Sequence, residues 1–155
     1  MSKIWLKNLI GINQSDFELL QVPRPKLELG IHISIKTVEL GTLLGTVGGP
    51  LGHVFTTGSV KPSELKHSAV KGGIYGACVG LLFGPILTAY SVRQYNQYEL
   101  YDRCYQLRFN AHSLLIDRIV LSTAAIGAAI GSTPGLILGV DLGVLFGSIA
   151  YALRK

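Results

Sequence analysis

The sequence predicts an all-α membrane protein: four transmembrane helices packed through glycine ladders, with an extramembrane N-terminal tail. Three observations predict it. Of the 155 residues 48% are hydrophobic and only 15% charged, where a soluble domain carries roughly 25% charged residues. The apolar residues gather in four stretches, about 31–54, 69–90, 114–131 and 135–153. Each approaches the roughly 17–25 residues a helix needs to cross a bilayer core. Glycine also recurs at every fourth position within these stretches. The ladders are Gly41, Gly45 and Gly49; Gly72, Gly76, Gly80 and Gly84; Gly127 and Gly131; and Gly135, Gly139, Gly143 and Gly147. In water an interior glycine costs about 1 kcal/mol relative to alanine. In lipid the backbone must stay hydrogen-bonded within its segment, so the helix persists. Lipid is as apolar as leucine, and close van der Waals approach across small-residue faces then drives helices together.

Residues 1–30 form the tail and residues 31–155 the transmembrane domain. Lys3–Ile12 reads either as a short interfacial helix with Trp5 at the headgroups or as irregular chain. No apolar core with a small-residue cleavage site marks a secretory signal, and Asp16, Glu18 and Glu28 break the acid-poor pattern of a mitochondrial presequence. Pro23 and Pro25 predict an extended linker.

The first span holds Lys36 and Glu39 one turn apart, His53 near its end and Pro50, which can kink it. Lys36 can snorkel to the headgroups or pair with Glu39. In the following loop, Ser63 predicts the cap of a short helix. The second span has no charged side chain from Ile74 to Tyr90. Its Cys78 reads as a small apolar filler, and Cys104, in the loop beyond, as a free surface thiol. Their depths are too different for a disulfide.

That loop carries Tyr95, Tyr98, Tyr101 and Tyr105 at helical period, with Glu99 and Arg103 at i,i+4. It predicts an extramembrane helix. Tyr98, Tyr101, Arg103 and Tyr105 are candidate partner contacts, although a membrane-interface aromatic belt is the simpler account of the tyrosines. Spans three and four are joined by "GSTPG", a tight antiparallel hairpin. Asp141 sits within the fourth. A mid-membrane carboxylate costs about 2.5–3.5 kcal/mol on insertion scales, so it needs a partner or a proton. Ser122 and Thr123 lie at its depth in the hairpin. Yet Asp141 is about 200° round the helix from Gly139, which turns it away from the glycine seam and towards a neighbouring subunit.

The net charge of +5 lies in loops and termini and forms no dense basic stripe, which argues against nucleic acid. Anionic lipids such as cardiolipin suit bases beside membrane spans. His32, His53, His67 and His112 are scattered without metal-ligand spacing. No phosphate loop or nucleophile constellation is visible. The sequence therefore predicts no cofactor, no metal and no catalysis.

Four spans, the ladders, "GGIYGACVGLLFG" at 72–84 and "RFNAHSLLIDRIVLSTAAIGAAIG" at 108–131 together resemble the mitochondrial inner-membrane translocase family (Tim seventeen, twenty-two and twenty-three). That family includes a translocase-related accessory subunit of respiratory complex I, alpha-subcomplex subunit eleven. Its signature has an Arg, an Asp four residues later, then small residues and Gly-x3-Gly. Here Arg108 precedes Asp117 by nine residues and Arg118 follows it, while Gly127 and Gly131 supply the Gly-x3-Gly. The resemblance implies a divergent accessory subunit of the complex I membrane arm, multi-pass in the mitochondrial inner membrane, without a redox centre, and able to lie near complex III. An import-translocase subunit is the alternative within the family. A small ion-coupled transporter using Asp141 is the alternative outside it.

Overall fold

Among the described residues the chain forms six helices. The structure is a computed structural model that describes residues 3–12 and 14–153, with side chains except at residues 3–5 and 16. The helices are α1 (Lys3–Leu9), α2 (Asp16–Leu20), α3 (Pro25–Thr57), α4 (Pro62–Gln94), α5 (Gln97–Phe109) and α6 (Ala111–Ala152). No strand occurs among the described residues, and the protein is all-helical. Two helices, α4 and α6, are long and apolar enough to cross a membrane.

Pro25 and Pro62 open α3 and α4, where a missing N–H costs nothing. The linker expected around Pro23 and Pro25 thus ends at Arg24. The short helix expected at Ser63 is the first turn of α4, with Lys61 at its cap. Gly58 ends α3 in the left-handed region, at φ 66°, as a helix C-terminus favours. The α2 helix was not anticipated; its capping box joins Ser15 and Glu18. An interfacial role for Trp5 falls on a side chain outside those described.

The tyrosine-rich loop is helical, as its period predicts, and α5 is separate from both neighbours. Asn96 and Glu99 make a capping box in which the Asn96 N–H donates to Glu99 Oε2 at 2.8 Å. Glu99 serves its own helix end in place of the expected pairing with Arg103. Asn110 closes α5 and accepts from the Ser113 N–H to start α6.

Two hairpins result. In the first, α3 and α4 run antiparallel in a constant register. A methyl built on Gly41 would strike the Gly76 carbonyl oxygen, one on Gly45 that of Gly72, and one on Gly49 that of Ser68. The seam continues where Gly80 faces the Thr37 backbone and Gly84 faces Ser34. The second hairpin lies within α6. Gly131 and Ser132 leave helical geometry (φ −123°, ψ 15° and φ 51°, ψ −135°), and the helix doubles back. Gly127 then meets Gly135, Gly139 meets Thr123, Gly143 meets Val120 and Gly147 meets Ile116. Gly131 departs from its ladder: a methyl there would find open space. It belongs to the turn.

The α5 helix lies over the N-terminal end of α3. Val22, Leu29, Leu100 and Cys104 form a small buried cluster there. This reverses the two cysteine expectations. Cys104 is 1% exposed and its thiol donates to the Pro25 carbonyl at 3.2 Å, whereas Cys78 is exposed. The helical period of α5 puts Cys104 about 120° round from the exposed Tyr98.

Candidate functional site

Along α3, Glu28, His32, Lys36, Glu39, Thr42 and Thr46 follow one another at steps of three and four. That period lines them on one helix face. The face looks away from the α4 glycine seam and towards α6. It is the most polar feature of the interior, and every charged member has a partner from another element or from the same face.

At one end Arg108 of α5 is 3% exposed. Its Nε donates to Glu28 Oε2 at 3.0 Å and its Nη2 to Glu28 Oε1 at 2.6 Å. Its Nη1 donates to the Leu19 and Gln21 carbonyls at 2.8 and 2.9 Å. One guanidinium thereby ties the tail, α3 and α5 together. Arg118 does the same for α1, donating to the Asn8 and Leu9 carbonyls at 2.7 and 3.1 Å.

One turn inward, Asp117 of α6 meets α3. Lys36 Nζ donates to Asp117 Oδ1 and, at 2.9 Å, to Glu39 Oε2. His32 Nδ1 stands 3.9 Å from Asp117 Oδ2. The expected Lys36–Glu39 pair is present, and Asp117 makes it a bridge between the hairpins. At the far end His53 Nε2 lies 3.4 Å from Glu64 Oε2. The Ser59 hydroxyl, first, and His53 hold the Glu64 carboxyl below the usual carboxylate range.

Asp141 occupies the middle. It is 6% exposed, and the expectation that it faces a neighbouring subunit is corrected. The wheel angle itself is sound. The error lay in treating the glycine seam as the bundle interior. That seam joins the two arms of α6, so the opposite face of the second arm, with Ile137, Val140 and Asp141, is buried against the other hairpin. Ser122 and Thr123 are not its donors either, because they bond to the Arg118 and Ile119 carbonyls behind them. The hydroxyls acting on Asp141 are those of Thr42 and Thr46 on α3. These hydroxyls stand beside the carboxylate without closing to full hydrogen-bond distance: neither carboxylate oxygen, nor Thr46 Oγ1, has a partner that near.

Gly73, outside the fourfold ladders, is the glycine that lets the hairpins meet. A methyl on it would lie 2.5 Å from Ile137 Cγ2 and 2.7 Å from Thr46 Oγ1. On either side of this contact the hairpins diverge. One cleft, of about 700 Å³, is bordered by Ser34, Glu39, Leu81, Pro85, Val120 and Val140. Another, of about 830 Å³, includes Lys66, His67, Gly127 and Leu138.

The α5 side chains proposed for partner contact stand apart from this seam. Tyr98 is 90% exposed, with Tyr101 and Tyr105 at 40% each. Tyr105 packs on Phe109 with ring centroids 4.6 Å apart, and Arg103 lies over the Tyr95 ring at 5.4 Å. Among the described residues no group of three His, Cys, Asp or Glu side chains is placed to hold a metal.

No curated protein matches the chain. One family model, described as a protein of unknown function (DUF1757), matches residues 5–150. The match takes in both hairpins, α5 and the whole polar seam. The chain belongs to the DUF1757 family.

Proposed function

We propose that this chain is a non-catalytic membrane subunit, embedded through four spans (α3, α4 and the two arms of α6) and packed against other membrane proteins. The inverted distribution of its side chains carries the reading. Glu28, Glu39, Arg108, Asp117 and Asp141 are buried, while Leu40, Leu44, Leu81, Leu82, Leu145 and Phe146 are exposed. Water would penalise that outer surface, and lipid tails or neighbouring apolar helices cover it without cost. Paired buried charges and methyl-tight glycine seams favour a fixed body over a moving carrier.

The resemblance of residues 72–84 and 108–131 narrows the proposal to an accessory subunit of mitochondrial complex I. It would sit on the membrane arm, within reach of complex III, with cardiolipin or other anionic lipid at its basic ends. Tyr98, Tyr101 and Tyr105 offer the extramembrane contact. Native-gel mass spectrometry of gently solubilised mitochondria tests this. Co-migration with complex I in fixed stoichiometry is the expected result. Co-migration with import-translocase subunits transfers the chain to the other branch of the resemblance.

A second reading is favoured by one observation. Asp141, buried and without a hydrogen bond, has the character of an ion site in a small transporter. Loss of transport by Asp141→Asn in reconstituted vesicles is its signature, and no transport by the wild type ends it.

A further inference from the structure

Most hydroxyls in these long helices are committed to the backbone. Thr42 and Thr88 each donate to a carbonyl one turn back, as do Ser122, Thr123 and Ser148. That bond is the usual resting place of a helical Ser or Thr. Thr46 does not make it: its Oγ1 is buried and has no partner. Beside it, Asp141 presents two buried oxygens, also without partners. Thr42, 1% exposed, adds a third side chain from the same α3 face. Gly73 bounds the spot from α4, its missing side chain leaving the room that Thr46 Oγ1 and Ile137 occupy. Three helices thus enclose the Asp141 carboxylate beside the Thr42 and Thr46 hydroxyls, and neither Asp141 nor Thr46 Oγ1 closes to hydrogen-bond distance of a partner.

We propose that Asp141, Thr42 and Thr46 form a binding site for one monovalent cation, buried between the two hairpins. An isolated carboxylate in a low-dielectric interior is too costly to stand alone. Among the described residues no charged side chain pairs with Asp141. On α3, Lys36 is bonded to both Glu39 and Asp117; α4 brings Gly73 to the spot, and its Lys66 and His67 line the adjoining cleft with Leu138 and Leu142. The missing positive charge must come from outside the chain. An oxygen-only set with a single carboxylate suits a hard cation of charge one: Na+, with the threonine oxygens as further ligands, or H+ on the carboxylate itself. A divalent ion would meet too little negative charge. The inference rests on the membrane-embedded reading but not on complex I, since it concerns the isolated chain.

The test uses the full chain in lipid nanodiscs, with Asp141→Asn and Thr46→Val beside wild type. Thermal stability is followed as Na+ replaces choline at constant ionic strength, and infrared difference spectra are recorded across a pH titration. A Na+ site raises the wild-type melting temperature by a few degrees per tenfold step in Na+ above its Kd. Asp141→Asn abolishes that slope, and Thr46→Val moves its onset to higher Na+. A proton site shows no Na+ slope but a protonated-carboxyl stretch that Asp141→Asn removes and Thr46→Val shifts in frequency. The threonine variant decides the matter if the asparagine variant does not fold. Absence of both signatures in wild type, or their persistence unchanged in the two variants, overturns the proposal. Resistance of the chain to carbonate extraction separately checks the embedding, so a failure of that reading is seen as such.

Discussion

The Arg108 guanidinium grips the Glu28 carboxylate through both of its oxygens, with both side chains buried. Two parallel N–H···O contacts are the strong form of this interaction. Removing one member leaves the other charged and buried, which costs about 3–5 kcal/mol. Arg108→Ala and Glu28→Ala should each lower the melting temperature sharply. Arg108→Lys should recover only part of it, because an ammonium cannot reach Glu28 and the Leu19 and Gln21 carbonyls together. Heated-sample size-exclusion profiles in detergent measure it. A lysine variant as stable as wild type would show that charge alone suffices.

Gly76→Leu and Gly139→Leu should disrupt the hairpins far more than Leu81→Ala or Leu145→Ala. The glycines face backbone that cannot move aside, whereas the leucines are exposed and lipid refills their place. Gly73→Leu should act differently, leaving each hairpin intact while separating the two. Gly131→Ala is the internal control, since its methyl meets nothing. Expression level and monodispersity rank the six. Equal behaviour of the Leu and Ala variants would remove the packing role of the seams.

Ser132 holds φ 51° and ψ −135°, a region that costs a residue with a side chain about 1–3 kcal/mol. Ser132→Gly should therefore raise the melting temperature, and Ser132→Val lower it. Should glycine bring no gain, the turn is not strained at this position.

Burial pushes the Cys104 thiol up to about 11, with the Glu28 charge adding to it and Arg108 opposing. Its folded value lies above its unfolded one. The stability linked to the thiol is therefore intact below the unfolded value of about 9 and declines as pH rises from there through about 11. At pH 8 a maleimide should label Cys104 only after unfolding. Mass spectrometry of labelled peptides checks this, and rapid labelling of the native protein would contradict the buried placement.

Simultaneous replacement of Tyr98, Tyr101 and Tyr105 by Ala should weaken assembly into a parent complex while membrane insertion is retained. The three are exposed and none belongs to the polar seam. Carbonate extraction and native gels read the two effects separately. Failed insertion would make the tyrosines belt anchors.

The hairpins were legible because their glycines carry the period of a helix face and "GSTPG" is too short for anything but a reversal. The α5 helix was legible from the tyrosine spacing. The seam was hidden for a different reason. Its α3 members are three or four residues apart in sequence, but their partners Arg108, Asp117 and Asp141 lie 80 or more positions away, and only the docking of one hairpin on the other selects them. Gly73 escaped notice because it adjoins the ladder without belonging to it. Asp141 was placed on the wrong side because a helix in the middle of a layer has two covered faces, and a wheel drawn for one helix knows only one of them. Cys104 was misplaced by treating a polar loop as uniformly exposed.

The polar face of α3 also constrains the order in which the chain enters a bilayer. Lys36 and Glu39 together make that segment a poor candidate for entry on its own, at about 2.5–3.5 kcal/mol for such a residue at mid-span. The Gly58 turn delivers α4 immediately afterwards, and the Gly41–Gly76 and Gly45–Gly72 contacts give α3 a companion whose central stretch, Ile74 to Tyr90, carries no charge. Lys36 still lacks its second carboxylate until Asp117 has been made. Biogenesis of the first hairpin is thus held incomplete by the second, and an insertion machinery that releases helices one at a time would have to retain α3 until α6 arrives.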